Sequence, residues 1–273
     1  MKIKENIALK NSINYSFSIV TGASTIVGIM GYTIRDINDK LKWWQCSLIL
    51  IAIFIAITII LFCIFSMIKH RGYTTTINNS NVKIKVGNIF SENGVKVIPF
   101  NECFDTIVDD VVIAHNSLNG KFIDSHVEDV SELNDKIQAA KDTISRLKPT
   151  EVDNKIVYPL GRIIAYKDYL LLAFTHFDEE NKAYIKVGEY EQLLIRMWQE
   201  IRRTYAARPI VIPFLGTGIS TIDGVQSKNY TELLKCILCT FRNSKFQPQE
   251  GLTIILTQEA IEKVDMNVIK EEF

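Results

Sequence analysis

Residue types capable of chemistry gather in this chain where short apolar runs end. Ile210 to Ser220 reads IVIPFLGTGIS: a β-branched run closes in Pro213 and Phe214, and Gly216-Thr217-Gly218 then turns the chain. This pattern predicts a buried strand emptying into a loop. Glycines admit positive φ and keep a Cβ out of a ligand's path, so successive amide N–H groups can converge on an anion. The loop lacks the Gly-Lys-Ser/Thr ending of a nucleoside-triphosphate P-loop, and it is not Gly-x-Gly-x-x-Gly. Neither a triphosphatase nor a dinucleotide-binding Rossmann site is supported. By itself the motif serves equally as a structural turn or as an anion seat.

Other candidates carry less. Asp105, Asp109 and Asp110 offer carboxylates, but no His or Glu array lies beside them in sequence, and a solvated or capping acidic turn accounts for them. His176, in Phe174-Thr175-His176-Phe177-Asp178, follows a strand without a nucleophile nearby, which favours a loop or core role. Cys236 and Cys239 sit one helical turn apart with no second pair, and core packing is the expectation. Arg196, Arg202, Arg203 and Arg208 gather near a helix C-terminus, where cations suit the dipole. Neither a metal nor a cofactor is expected.

The segments that must position these residues alternate between strand-like and helix-like, which predicts an α/β layer structure. Val82 to Val86, Gly94 to Pro99, Ile210 to Phe214 and Leu252 to Leu256 read as strands, and Ile156 to Ala165 with Tyr169 to Phe174 reads as a hairpin. Helical spacing puts Leu133, Ile137, Ala140, Ile144 and Leu147 on one face of Val127 to Leu147. It puts Leu193, Leu194, Met197, Trp198 and Ile201 on the buried face of Tyr190 to Ala206, and Tyr230 to Phe241 is a further helix.

The front of the chain is different in kind. Ser47 to Met67 is 21 residues without a charge, bracketed by Trp43-Trp44 and Lys69-His70-Arg71, which is the length and edging of a transmembrane helix. Asn11 to Ile34 is a second uncharged stretch, with Asn11, Asn14, Ser18, Thr21, Thr25, Gly28 and Tyr32 along one helical face. That face suits either helix packing or the lining of a polar path. Residues 1–71 are therefore expected to form a two-helix transmembrane hairpin (helices about 12–34 and 44–68), 72–81 a linker, and 82–273 a cytoplasmic domain. Residues 1–75 hold 8 Lys+Arg and 3 Asp+Glu, leaving 23 and 28 of the chain's 31 and 31 for the remainder, so net +5 precedes net −5. The basic front suits a lipid bilayer, and its distribution points both termini into the cytoplasm. The acidic remainder argues against nucleic acid. Five cysteines without a dense framework point to a reducing compartment.

The order of the motifs resembles the macro domain. Val86-Gly87-Asn88-Ile89 closes one strand, Val97-Ile98-Pro99-Phe100-Asn101 closes the next, and Pro213 to Ser220 follows after a long interval. The resemblance, over roughly residues 82–265, implies a macro-like three-layer α/β/α sandwich that binds ADP-ribose. It puts Asn88 where most macro domains carry the Asp that meets the adenine amino group, Ile89 beside the adenine, and Phe100 and Asn101 at the loop near the distal ribose. Phe214 then leads into a diphosphate loop of Gly216, Thr217, Gly218, Ile219 and Ser220. Glu102-Cys103-Phe104-Asp105 replaces the glycine-rich run of hydrolytic macro domains, which implies binding rather than catalysis. Glu102 and Asp105 are placed to meet a cationic or amine group at the ligand's distal end. Asn101 to Asp110, followed by Asn116 to Ile123, is similar to the macro domain of the transmembrane effector in type II Thoeris, a bacterial anti-phage system. That resemblance implies a signal made from NAD by a partner TIR-domain enzyme, histidine-ADP-ribose, and a homo-oligomer that disrupts the bacterial inner membrane, which it crosses in two passes. The alternatives are a membrane-bound ADP-ribosyl hydrolase and a non-catalytic membrane scaffold.

Overall fold

The computed structural model describes residues 13–23, 43–70, 72–143, 147–152, 155–178, 182–218, 221–223 and 229–273. It divides into two units, Met1–Gly72 and Tyr73–Phe273. In the first, residues 13–23 are helical (α1) and Trp43–His70 forms α2, 28 residues long. The two helices meet at buried Ser16, whose hydroxyl accepts a hydrogen bond from the Thr58 hydroxyl at 3.0 Å. The polar stripe does not make this contact. Ser16 and Ser18 point about 200° apart on a helix, and Asn14, Ser18 and Thr21 are exposed, with the Ser18 hydroxyl bonded back to the Asn14 carbonyl. The other stripe members, Asn11, Thr25, Gly28 and Tyr32, and the turn at 35–42, lie outside the described residues. Among the described residues no helix is long and apolar enough to cross a membrane, the described side chains of α2 being those at 44–45, 48–49 and 51–63.

The second unit opens with β1 (Tyr73–Ile77) and β2 (Ser80–Val86). Residues 72–81, expected as a linker, are therefore largely a β-hairpin, in register from Tyr73 opposite Ile84 to Ile77 opposite Ser80. The threonines that suggest a flexible tether are β-branched and suit a pleated strand. The chain continues through a 3₁₀ turn (Ile89–Ser91), β3 (Val95–Asn101), α3 (Leu118–His126), α4 (Val130–Ala139), β4 (Thr150–Val152), β5 (Lys155–Val157), β6 (Ile163–Tyr166) and β7 (Tyr169–Phe177). Then come β8 (Ala183–Lys186), α5 (Val187–Thr204), β9 (Ile210–Pro213), β10 (Thr221–Asp223), α6 (Tyr230–Ser244), β11 (Leu252–Leu256), α7 (Gln258–Lys263) and α8 (Met266–Glu272).

The main sheet runs β1-β2-β11-β9-β3-β7-β8-β10, with β6 also paired to β7. Its centre, β2, β11, β9, β3 and β7, is parallel throughout, so those strands end on one edge. Both faces are covered, and strand residues alternate between two cores. Val97, Leu170, Leu172, Ile212 and Ile254 pack with Leu194, Trp198 and Phe241 of α5 and α6. Their neighbours Ile98, Leu171, Ala173, Val211 and Ile255 pack with Phe122, Leu133 and Ile137 of α3 and α4. The result is the three-layer α/β/α sandwich. The helix expected over Val127 to Leu147 is shorter: α4 stops at Ala139 and a 3₁₀ turn, Ala140–Asp142, follows it.

One buried ion pair ties this scaffold together from side to side. Arg162 Nη1 lies 3.1 Å from Glu200 Oε2, with side-chain exposures of 1% and 9%, and Arg162 Nη2 donates to the Ala140 carbonyl at the end of α4. Glu200→Ala would leave a buried guanidinium short of its partner and should lower stability by about 3–5 kcal/mol in urea denaturation. Replacing Arg162 and Glu200 together by Met and Leu should cost clearly less, because no buried charge remains.

Candidate functional site

The crevice outside the carboxyl ends of parallel strands is where open α/β sheets receive ligands. A cleft of about 1480 Å³ opens there, and Asn88, Ile89, Phe100, Asn101, Phe214, Gly216, Thr217 and Gly218 all line it. Ile219 and Ser220 lie outside the described residues. The geometry thus gathers on one cavity the expected residues of three separate strand ends.

Each strand end is fixed by its own local chemistry. After β2, Asn88 caps the 3₁₀ turn: its Oδ1 accepts the Phe90 N–H at 3.1 Å while the residue itself remains exposed. After β3, buried Asn101 donates from Nδ2 to Asp105 Oδ2 at 2.5 Å and accepts the Asp105 N–H on Oδ1 at 3.0 Å. After β9, the Thr217 hydroxyl donates to the Phe214 carbonyl at 2.8 Å, and the Tyr190 hydroxyl donates to the Leu215 carbonyl at 3.0 Å. Two acceptors of the glycine loop are thereby bonded within the protein, which reduces the negative charge they present to an approaching anion.

Glu102 and Asp105 are placed differently from expectation. Neither lines the cleft among its described residues. The Asp105 carboxylate holds Asn101 and faces, with Cys103 and Lys155, a separate cavity of about 270 Å³. The Glu102 carboxylate lies 2.7 Å from His176 Nδ1. These carboxylates already have partners inside the protein, so the amine-binding role expected of them has no support in the geometry.

The far wall of the cleft is built by residues that the motifs did not single out. The loop before α3 contributes Asp110 to Ala114 and Asn116, and Asp109 folds it by accepting the Val111 and Val112 N–H groups at 2.9 and 2.7 Å. Those bonds hold the Asp109 carboxyl below its ordinary pKa. The acidic turn is therefore a capping turn, as its sequence suggests. Ser117 caps α3 by accepting the Gly120 N–H at 2.9 Å. A Cβ at Gly120 would come within 2.3 Å of the Ala114 carbonyl oxygen, so glycine permits the loop to lie against the helix. Asn119 and Gly120 are weak helix formers, which hid α3 from a propensity reading. Beside Asn88, the rings of Phe90 and His126 stack at 4.2 Å and both border the cleft.

Three thiols of the second unit, Cys103, Cys236 and Cys239, are raised above the ordinary thiol pKa, chiefly by burial. Burial first, then the carboxylates of Asp105 and Glu102, raise Cys103, and burial chiefly raises Cys236 to about 11. Cys236 packs against the core from α6, and among the described residues no group of three or more His, Cys, Asp or Glu side chains is arranged to hold a metal.

Against known proteins, a family model described as "Thoeris protein ThsA, Macro domain" matches residues 82–257. Thoeris protein ThsA of Bacillus amyloliquefaciens (strain Y2) is 32% identical over 288 residues, spanning 99% of this chain and 92% of that protein. Among solved structures, the Oceanobacillus iheyensis macrodomain with ADP is 14% identical with a TM-score of 0.48, over 74% of this chain and 98% of that one. A mutant of the same macrodomain with ADPR is 13% identical with the same TM-score and coverage.

The two loop glycines separate structure from access. Gly216 has φ +84° and an added Cβ would lie 3.4 Å from the Tyr190 ring, whereas a Cβ at Gly218 meets nothing within 4 Å. Gly216→Ala should cost about 1–2 kcal/mol in thermal or chemical denaturation. Gly218→Ala should leave stability unchanged to within roughly 0.5 kcal/mol.

Proposed function

This chain belongs to the Thoeris ThsA macro-domain family, and from that membership we propose that it is a membrane-anchored sensor and effector of anti-phage defence. Its cleft binds an ADP-ribose-derived signal, histidine-ADP-ribose in the form the resemblance implies, made by a partner TIR-domain enzyme. The observation that carries this reading is the convergence of Asn88, Asn101 and the Gly216 to Gly218 loop on one cavity at the carboxyl edge of the sheet. An amide for the adenine, a glycine turn for the diphosphate and a loop for the distal ribose are the three features that follow one another along an ADP-ribose unit.

Binding without hydrolysis is part of the same proposal. Hydrolysis needs an attacking water held next to the distal ribose. The four residues after Asn101 are committed elsewhere: Glu102 to His176, Phe104 to the core at 2% exposure, Asp105 to Asn101, and Cys103 to the small cavity.

Anchoring rests on α2. Twenty-eight helical residues extend about 42 Å, more than the roughly 30 Å of a bilayer's hydrocarbon, and residues 47–67 carry no charge. Ser16 against Thr58 supports a second helix packed alongside. Ligand switches such an assembly only by binding its active arrangement better than its resting one, and an oligomer of this chain is the unit proposed to disrupt the membrane.

Titration of the full-length chain in detergent with ADP-ribose, followed by analysis of the recovered nucleotide, tests this. Saturable binding with the nucleotide returned intact is expected, and Gly218→Val should weaken it at least about 10-fold while the variant still sediments with membranes. Release of a hydrolysed product would favour the hydrolase, and absence of any response to ADP-ribose or its histidine conjugate would favour a scaffold.

A further inference from the structure

His176 sits on β7 between two residues of the cleft wall, Thr175 and Phe177. Each of its ring nitrogens faces a carboxylate: Nδ1 lies 2.7 Å from Glu102 Oε2 and Nε2 lies 3.2 Å from Glu189 Oε2. An ionised carboxylate accepts hydrogen bonds and cannot donate, and a neutral imidazole has one N–H to give. Only the imidazolium satisfies both partners. The chain places each partner next to the site. Glu102 follows Asn101 directly, and its N–H donates to the Thr175 carbonyl at 2.8 Å. Glu189 also accepts the Lys186 N–H at 3.3 Å, and the residue after it, Tyr190, holds the Leu215 carbonyl at the entrance to the glycine loop.

We propose that His176 is a positioning residue: as an imidazolium donating to Glu102 and Glu189 at once, it holds the Asn101 loop, the β7 wall and the glycine loop in their ligand-binding arrangement. One side chain thus ties together three borders of the cleft that no shared backbone segment joins. The proposal rests on the reading of the cleft as an ADP-ribose site and adds to it a proton requirement.

Among the described residues the charged groups facing the ring are Glu102 from the loop after β3 and Glu189 from α5, while the Tyr184 ring of β8 packs at 5.3 Å. The hydrogen bond to Glu102 and the charges of Glu102 and Glu189 raise the His176 pKa against an opposing effect of burial. A histidine raised above its unfolded value of about 6.5 contributes in full below that pH, and the contribution is lost as pH rises through the folded-state pKa. Ligand affinity should therefore fall on the alkaline side of 6.5.

The test is ADP-ribose affinity of the full-length chain across pH 6 to 9. Wild type should weaken by about 10-fold over the imidazole titration, and His176→Gln should bind more weakly at pH 6 and show a flat profile. His115, raised by its bond to Asp124, is the other histidine with a carboxylate partner among the described residues, and a wild-type slope retained in His176→Gln would assign the titration there and overturn the proposal. Glu102→Gln, a milder change, should move the midpoint to lower pH, which a purely structural role would not do; an unmoved midpoint counts against the bridge. Imidazole ¹⁵N shifts of the ligand-free chain judge the bridge separately. A doubly protonated His176 at pH 7 supports it even if ADP-ribose fails to bind, in which case the ligand reading falls alone, and a neutral ring at pH 7 overturns the bridge.

Discussion

Parallel pairing of β2, β11, β9, β3 and β7 is the constraint from which the rest of the molecule follows. Parallel neighbours need crossover connections, and crossovers lay helices on both faces of a sheet, so both faces must be apolar. That is why β7 reads YLLLAFTHF with successive buried residues instead of a polar alternation. The same constraint delivers every central strand to one edge, where the chain must leave the ladder with its peptide groups unpaired by neighbours. The cleft is made of those exits.

An exit is useful only if it is held still, and here side chains do the holding. Asn88 caps the turn after β2, Asp105 and Asn101 close a loop on each other after β3, Tyr190 and Thr217 take up the carbonyls after β9, and Ser117 caps the helix opposite. Each bond replaces one a ladder or helix would have supplied. A carboxylate spent in this way no longer faces the cleft as a free charge, which explains how a loop as acidic as Glu102 to Asp110 contributes shape more than charge.

These two layers of organisation differ in how far the sequence discloses them. Strands of the parallel core announce themselves as apolar runs, and Ile210 to Gly218 carries both the strand and the turn that ends it. Asn88, Asn101 and the glycine loop were legible because each sits at the end of such a run. What stayed hidden depends on partners far away in the chain. Glu102 and His176 are 74 residues apart, and neither shows from its neighbours that it faces the other. β1 was obscured because Thr-rich segments suit both tethers and edge strands, and only pairing with β2 decides. α3 was obscured because its stability comes from a cap and from Phe122 and Ile123 in the core, and its propensity is poor.

The pairing of β1 fixes how the second unit begins. Antiparallel register sets Tyr73 opposite Ile84, near the carboxyl end of β2, so β1 begins on the edge where Asn88 borders the cleft. Ile84 and Asn88 are four residues apart, on the order of 14 Å at strand rise. The far side of β1 is anchored: Ile77 is buried, and the Thr75 hydroxyl donates to the Phe273 carbonyl at 2.5 Å. A strand fixed at its inner end does not absorb displacement by sliding, since a slip of one residue would turn Ile77 out of the core. The exit of β2 and the start of β1 are thus held in one register by their shared hydrogen bonds.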